Sequence, residues 1–347
     1  MTEQGDRSFR KRSAPLGCTL AALAAVALAA CSTGSTSNSA TNASESSASA
    51  AANSLPVDVV KTVSPSVVLI QTSEGLGSGE VYDTKGNIVT NAHVVGTATT
   101  FVVTTYAGRQ LKGTLVGSFP PDDLAVIRVD GAGLKPAKFG DSSKLQVGEA
   151  VLAIGNPLGL EGSVTSGIVS ALGRVVSEGP GGGTLPDAIQ TSAPINPGNS
   201  GGALVDLDSE VVGIPTLAAL SPGTQAPAPG IGFAISSNRA KVIADQLVAS
   251  GKVTNSGRAY LGIQSGATSG GEGVLVLAVQ PGGPAARAGI TAGTLIVSVA
   301  GKPTPTPSDL AEVLATLNPG QTVPVVTVPP DSSTKTTVNV TLGELPG

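Results

Sequence analysis

The sequence predicts a mainly β protein whose short strands close into barrels or sandwiches, followed by a small α+β domain. Three observations carry this. Glycine (46) and proline (25) are abundant among the 347 residues, only 2% are aromatic and 13% are charged, a composition that favours turns over long helices. Short runs rich in Val, Ile, Leu and Thr recur from Val67 to Ile235 with Gly and Pro in the gaps, the pattern of an all-β barrel or sandwich. One clear helix pattern then intervenes, and beyond Gly257 the strand pattern restarts in a unit of about 85 residues, the size of a separate small domain.

The first 30 residues read as a targeting segment. Arg7, Arg10, Lys11 and Arg12 are basic, and Leu16 to Ala30 is a mostly apolar run, short for a membrane span and suited to a signal peptide. It ends in Leu28-Ala29-Ala30-Cys31, which resembles the bacterial lipobox, in which cleavage precedes a cysteine that carries lipid. An ordinary secretory signal or an uncleaved anchor is the alternative. Cleavage would remove Cys18 with four basic and two acidic residues, taking the formal charge from −4 to −6. The mature chain would keep Cys31 alone and form no internal disulfide. Its acidity argues against nucleic acid as a partner. Residues 31–54 are the lipidated cysteine and a Ser/Thr/Ala/Asn tether with one charge, Glu45, too polar to bury a core.

The folded part is predicted from residue 55. Pro56–Val63 forms a short helix. Strands follow at Val67–Thr72, Gly79–Tyr82, Ile88–Asn91, Thr100–Thr105, Gln110–Val116 and Leu124–Val129, and a second set at Ala150–Gly155, Gly162–Leu172, Ala188–Thr191, Gly202–Asp206, Glu210–Thr216 and Ile231–Ile235. The helix Arg239–Ala249 is capped by Ser236 or Ser237, stopped by Gly251, and apolar along Val242, Ile243, Leu247 and Val248, closing a first domain at 55–251. In the second domain, 258–347, Tyr260–Ile263 opens a strand and Gly273–Val279 and Leu295–Val299 are strands. A turn and short helix span Pro281–Ile290, Ser308 caps a helix to Leu317, and Val323–Val328 with Thr336–Leu342 make a closing hairpin.

Chemistry concentrates in Asn196-Pro197-Gly198-Asn199-Ser200-Gly201-Gly202. Its glycines demand a sharply turned backbone, and one hydroxyl, Ser200, sits within it. Serine becomes a nucleophile only beside a base and oxyanion donors. The chain has one histidine, His93, and an acidic pair, Asp122-Asp123, lies between it and Ser200. The order His, Asp, Ser is that of chymotrypsin-type proteases, not of subtilisins or α/β-hydrolases. Spacing alone does not choose between the two aspartates. One histidine and no free cysteine leave no metal centre or cofactor to expect. The Gly179–Gly183 loop lacks the Gly-Lys-Ser/Thr ending of a phosphate loop.

Thr90-Asn91-Ala92-His93-Val94-Val95, Asp123-Leu124-Ala125-Val126, Gly155-Asn156-Pro157 and the Asn196–Gly202 stretch together resemble the HtrA/Deg serine proteases, and Tyr260–Ile263 with Gly282–Ile290 resembles a PDZ domain. The resemblance covers Pro56 to the C-terminus. It implies two six-stranded antiparallel β-barrels of chymotrypsin type followed by one PDZ domain. It implies His93 as general base, Asp123 (before Leu-Ala-Val) as its orienting acid, Ser200 as nucleophile, and an oxyanion hole over Gly198, Asn199 and Ser200 that uses the Gly198 and Ser200 N–H groups. Together with the lipobox at Cys31, it also implies an extracytoplasmic, membrane-anchored endopeptidase that cleaves misfolded envelope proteins. A silent PDZ scaffold and a dedicated processing protease are the alternatives. Tyr260, Leu261, Gly262 and Ile263 would capture C-terminal peptides by strand addition, unless they are simply a core strand. Pro215, Thr216 and Gly230–Ala234 would wall an uncharged S1 pocket suited to small aliphatic residues. A homotrimer is implied too, although the first aromatic after the tether is Tyr82. Two departures stand out. Ser192 replaces the family's usual aspartate, which predicts a loosely held segment before the oxyanion hole. Glu80 replaces a bulky apolar residue, which predicts an outward side chain or an altered loop.

Overall fold

The computed structural model describes residues 56–347 except 74, 131–132, 157–161, 178–183, 197, 221–226 and 269. The predicted leader, Cys31, the tether and the Gly179–Gly183 loop lie outside the described residues. Helix α1, residues 56–63, starts at Pro56, whose fixed φ suits a first helical turn. Val59 and Val63, four residues apart on one face, are both buried.

The first barrel closes in the order β1-β2-β3-β6-β5-β4, from β1 (Val67–Gln71), β2 (Leu76–Val81), β3 (Asn87–Thr90), β4 (Thr100–Thr104), β5 (Gln110–Phe119) and β6 (Leu124–Val129). The second closes as β10-β11-β12-β9-β8-β7, from β7 (Ala150–Gly155), β8 (Ser163–Ser177), β9 (Thr184–Thr191), β10 (Ala203–Val205), β11 (Val211–Leu220) and β12 (Pro227–Ser236). The expected double barrel is therefore present. Several strands outrun the sequence expectation because register shifts interrupt them, as at Leu115/Gly117 in β5 and at Val169/Ala171 in β8. Such bulges break the alternation on which strand ends are judged.

Each barrel has its own interior core, Val68, Ile70, Val81, Ile88 and Ile127 in the first and Val151, Ile189, Leu204 and Val212 in the second. A third cluster joins Val67, Val89, Phe119 and Val126 of the first barrel to Leu152, Ile154, Ile214 and Ile235 of the second. The outer face of β1–β3 is thus covered rather than solvated. This corrects the expectation for Glu80. It pairs across strands with Val67 and Val89 and so shares their face, and its side chain is wholly buried. Neither carboxylate oxygen has a hydrogen-bond partner, and burial pushes the carboxyl well above the usual range.

Between β3 and β4 lies α2 (Ala92–Val95), and after β12 comes α3 (Ser237–Ser250), with Ser236 at its N-cap position and Gly251 left-handed at its end. Ala240, Ile243, Ala244 and Leu247 form its inner face. Val242, expected inside, is exposed, because the apolar stripe runs one position round.

The C-terminal part pairs β13 (Ala259–Tyr260) with β20 (Gly343–Glu344). Its larger sheet runs β14 (Ile263–Ala267), β15 (Val274–Val279), β16 (Leu295–Val299), β18 (Thr322–Val328) and β19 (Thr336–Thr341), with β17 (Lys302–Pro303) on β16. Two helices, α4 (Pro284–Arg287) and α5 (Pro307–Ala315), accompany it. The cap of α5 is Thr306, not Ser308: its hydroxyl accepts from Asp309 N–H while the Asp309 carboxylate accepts from Thr306 N–H. Pro307, lacking an N–H, fits the first helical position and moves the capping box one residue upstream of it. The expected strand Tyr260–Ile263 is broken at Leu261-Gly262, where Gly262 has φ +74°.

Candidate active site

The two barrels contribute different parts of one cluster. His93 stands on α2 and Asp123 ends the 3₁₀ turn Pro120–Asp122 just before β6. Asp123 is left-handed, φ 51° and ψ 42°, a region that Asp tolerates better than most residues. This turns its side chain toward α2. Asp123 Oδ1 accepts from the His93 backbone N–H at 2.9 Å, and Oδ2 lies 2.8 Å from His93 Nδ1. A carboxylate oxygen accepts, so Nδ1 is the ring nitrogen that this contact engages as donor. Asn91 Nδ2 donates to the Asp123 carbonyl at 3.0 Å. The Asp123 side chain is 2% exposed and that of His93 50%, so a buried acid faces an imidazole open to solvent. Asp122 points elsewhere, to Arg239 and Arg258, which separates the two aspartates that spacing left equivalent.

Ser200 lies between β9 and β10 of the second barrel. Its Oγ donates to the Thr216 carbonyl at 3.0 Å, while Thr216 Oγ1 donates to Asp123 Oδ2 at 2.5 Å. Thr216 on β11 therefore bridges the predicted nucleophile and the predicted acid. Sequence reading placed it only in a pocket wall. Pro215 pairs with Ala234 beside it.

The nucleophile turn is held from several sides. Asn199 N–H donates to Asn196 O, Gly202 N–H to Asn199 O and Gly201 N–H to Pro215 O. The Asn199 side chain accepts from Asn196 N–H and donates to Pro194 O. Gly155 of β7 runs directly beneath: a Cβ there would lie 2.4 Å from Asn199 Cα, so only glycine permits this approach.

Ser78 was missed as part of the site. Its buried hydroxyl donates to Gly198 O at 2.5 Å and accepts from Asn156 N–H at 2.7 Å, and its N–H donates to Ser200 O at 2.9 Å. The available signal was a serine between Gly77 and Gly79, a place where another backbone comes close. With Gly198 O directed at Ser78, the Gly198 and Ser200 N–H groups have no acceptor among the described residues. Ser192 does not loosen this region. Its Oγ accepts from Ile168 N–H at 3.0 Å, and its own N–H and the Thr191 hydroxyl both donate to Ile168 O. A neutral hydroxyl thus ties the segment to β8.

Of the four residues expected to capture peptides, Leu261 belongs to the core of the C-terminal part. Tyr260, Gly262 and Ile263 line a cavity of about 310 Å³ together with Gln280. Among the described residues β14 pairs only with β15, which leaves a free strand edge beginning at Ile263.

Comparison with known proteins follows the same division. A trypsin-like peptidase domain matches residues 77–214 and a PDZ domain matches 275–328. The serine protease PepD of Mycobacterium tuberculosis is 42% identical over 318 residues, covering 85% of this chain and 68% of that protein. The chain belongs to the HtrA/DegP-like serine endoproteases. A probable periplasmic DegP-like serine endoprotease of Brucella suis is 39% identical over 282 residues, 78% of this chain and 53% of the relative. The chain thus spans about two thirds of PepD and about half of that DegP-like relative. Among solved HtrA-type structures, the protease AlgW with a decapeptide has TM-score 0.59 and 29% identity over 84% of this chain and 99% of that one. A serine endoprotease from Yersinia pestis has TM-score 0.58 and 36% identity over 83% and 97%. As an HtrA/DegP-like protease the chain carries the resemblance drawn from its motifs, and its double barrel and PDZ sheet are those the family implies.

Proposed function

We propose that this HtrA/DegP-like endopeptidase cleaves peptide bonds through Ser200, His93 and Asp123. The observation that carries the reading is the 2.8 Å contact of His93 Nδ1 with Asp123 Oδ2. His93 Nε2 takes the Ser200 proton as Oγ attacks the scissile carbonyl. The buried Asp123 carboxylate stabilises the resulting imidazolium, and Thr216 holds that carboxylate in place. The tetrahedral oxyanion is received by the Gly198 and Ser200 N–H groups, each donor worth about 3–4 kcal/mol of barrier in comparable enzymes. His93 then protonates the leaving amine, and water releases the acyl chain by the reverse sequence. Ser200→Ala is expected to abolish labelling by a fluorophosphonate probe and to lower kcat on the order of 10⁶-fold. Persistence of labelling in that variant would overturn the assignment.

The same reading places the domains at 1–30 (leader), 31–54 (lipidated Cys31 and tether), 55–251 (protease) and 258–347 (PDZ). Gly251 ending α3 and β13 beginning at Ala259 support the last boundary. The enzyme would work outside the cytoplasmic membrane on unfolded envelope proteins, a location supported by the periplasmic designation of its DegP-like relatives. Among the described residues no helix is long and apolar enough to cross a membrane. Anchoring by lipid on Cys31 rests on the lipobox-like Leu28-Ala29-Ala30-Cys31. Cys31→Ser is expected to move the protein from the membrane to the soluble fraction, and retention at the membrane would remove this part. The PDZ domain would take C-terminal peptides along the edge of β14, which pairs only with β15 among the described residues.

A further inference from the structure

We propose that Asp122 is a positioning residue for the peptidase reaction, and that Arg258 ties it to the root of the PDZ domain. The proposal rests on the reading that Asp123 orients His93. Asp122 and Asp123 are consecutive but serve opposite sides. The left-handed backbone of Asp123 sends its carboxylate to His93 and leaves that of Asp122 facing away, wholly buried. There it meets two guanidinium groups. Arg239 of α3 brings Nε to 2.6 Å from Oδ2, and Arg258 brings Nη1 to 2.9 Å from Oδ1 and 2.5 Å from the Pro121 carbonyl. The two arginine side chains are only 14% and 10% exposed. Burial pushes the Asp122 carboxyl up while the two cations pull it down. Removing either cation would leave a buried carboxylate short of compensation, a much costlier state than the intact triad.

The arginines also converge on one segment outside the barrels. Arg239 Nη1 donates to Ser256 O, and the Ser256 hydroxyl bonds Glu344 Oε1 and Leu345 O. Leu345 N–H donates to Arg258 O, and β13 starts at the next residue. The first and last strands of the PDZ part are therefore fastened to the same turn, Pro120–Asp122, that presents Asp123. On the other side of the turn Asp123 is held by Asn91 Nδ2, the His93 N–H and Thr216 Oγ1, so the turn is gripped between the catalytic cluster and the two arginines. Its own closing bond, Asp123 N–H to Pro120 O at 3.0 Å, sets the backbone of Asp123 and not its distance from α2. A displacement of segment 256–258 is transmitted by Arg258 to Asp122, and from there to the Asp123–His93 contact. One consequence is that truncation after Gly257 removes Arg258 as well as the PDZ domain, so activity lost on truncation does not by itself report peptide capture.

The test uses the full chain and a quenched peptide substrate, with kcat and KM measured across the histidine range, about pH 5 to 8. Asp122→Asn and Arg258→Gln are each expected to lower kcat about tenfold or more, the scale of a small misplacement of a catalytic group, with KM changed less than about twofold. Their acidic limb should differ from the parent's, because the contact of the Asp123 carboxylate with the general base has moved. The double variant should be no slower than Asp122→Asn alone, and Arg258→Lys should recover part of the rate. Variants that unfold cooperatively like the parent and keep its kcat and pH profile overturn the proposal, as does a rise in KM alone. If Asp122→Asn does not fold, Arg258→Gln decides: parental kcat with a parental acidic limb overturns it. Asp123→Asn separates the two levels. Its loss of activity beside fully active Asp122 and Arg258 variants removes only this proposal, whereas its retention of activity removes the assignment of Asp123 as well.

Discussion

Gly201→Ala is expected to cost this enzyme at least about 100-fold in kcat/KM while both barrels remain folded. The residue follows the proposed nucleophile and has φ +79°, and a Cβ there would lie 2.3 Å from the Ser78 carbonyl oxygen and 2.5 Å from Thr90 Oγ1. Neither neighbour can give way cheaply. Thr90 Oγ1 donates to that same Ser78 carbonyl at 2.7 Å, and both residues lie on buried strands of the first barrel. Ser78 also holds the turn from the other direction, through its N–H to Ser200 O and its hydroxyl to Gly198 O. The clash therefore forces the turn away from the first barrel, and it shifts Ser200 relative to His93 and the two proposed oxyanion donors together. A displacement of about 1 Å at such a site costs on the order of 10²-fold, and the left-handed backbone adds about 1–2 kcal/mol of strain for any residue with a Cβ. Steady-state kinetics with a peptide substrate, beside thermal unfolding, provide the check. Activity within about threefold of the parent would show that the turn relaxes without moving Ser200.

The parts of this site that were legible in the sequence are those that local chemistry writes into a short stretch. Ser200 among glycines and His93 as the sole imidazole could be picked out because each needs a particular residue type at a particular place. The strand runs and the α3 stop at Gly251 were legible for the same reason, being set by neighbours along the chain. What was not legible depends on which surfaces meet. Thr216 reaches Asp123 across 93 residues, and nothing around it marks it as more than one β-branched residue among others. Ser78 becomes a clasp only once β2 lies against the Gly198 turn. Spacing could not choose between Asp122 and Asp123; only the Leu-Ala-Val motif pointed to Asp123, and what separates the two in space is one left-handed backbone position. For Glu80 the expectation was an outward side chain or an altered loop, since a charged residue in a β run usually marks the solvated face. In this protein both faces of β2 are covered, one by the interior of the first barrel and the other by the second barrel, so the rule has no solvated face to apply to.

That buried carboxyl leads to the largest stability change expected from a single substitution. Glu80→Met is expected to raise the midpoint of the barrel transition by at least about 2 °C at neutral pH. Both Glu80 oxygens are buried and unpartnered between Val67 and Val89, and an unbranched thioether of similar length fills such a space without a polar atom. Replacing a poorly compensated buried charge or polar group by an apolar one of like volume is worth about 1–4 kcal/mol, and each kcal/mol moves the midpoint by about 2–4 °C in a domain of this size. The gain should depend on pH with a definite sign. In the unfolded chain Glu80 ionises near its usual pKa, about 4.3, whereas in the folded chain burial holds it protonated well above that. The native state then binds more protons than the unfolded state over the interval between the two pKa values, so its stability falls as pH rises through that interval. Below about pH 4 both states are protonated and only the cost of the orphaned oxygens remains. The advantage of Glu80→Met over the parent should therefore grow from about pH 4 to pH 7. Glu80→Gln, which abolishes the titration but keeps polar atoms in place, should show a smaller gain at neutral pH. Thermal unfolding of the three proteins side by side over that range tests both claims. A Met variant no more stable than the parent at neutral pH would mean that the carboxylate has found a partner or water in the interface, and an advantage that shrinks as pH rises would reverse the assigned direction of its pKa.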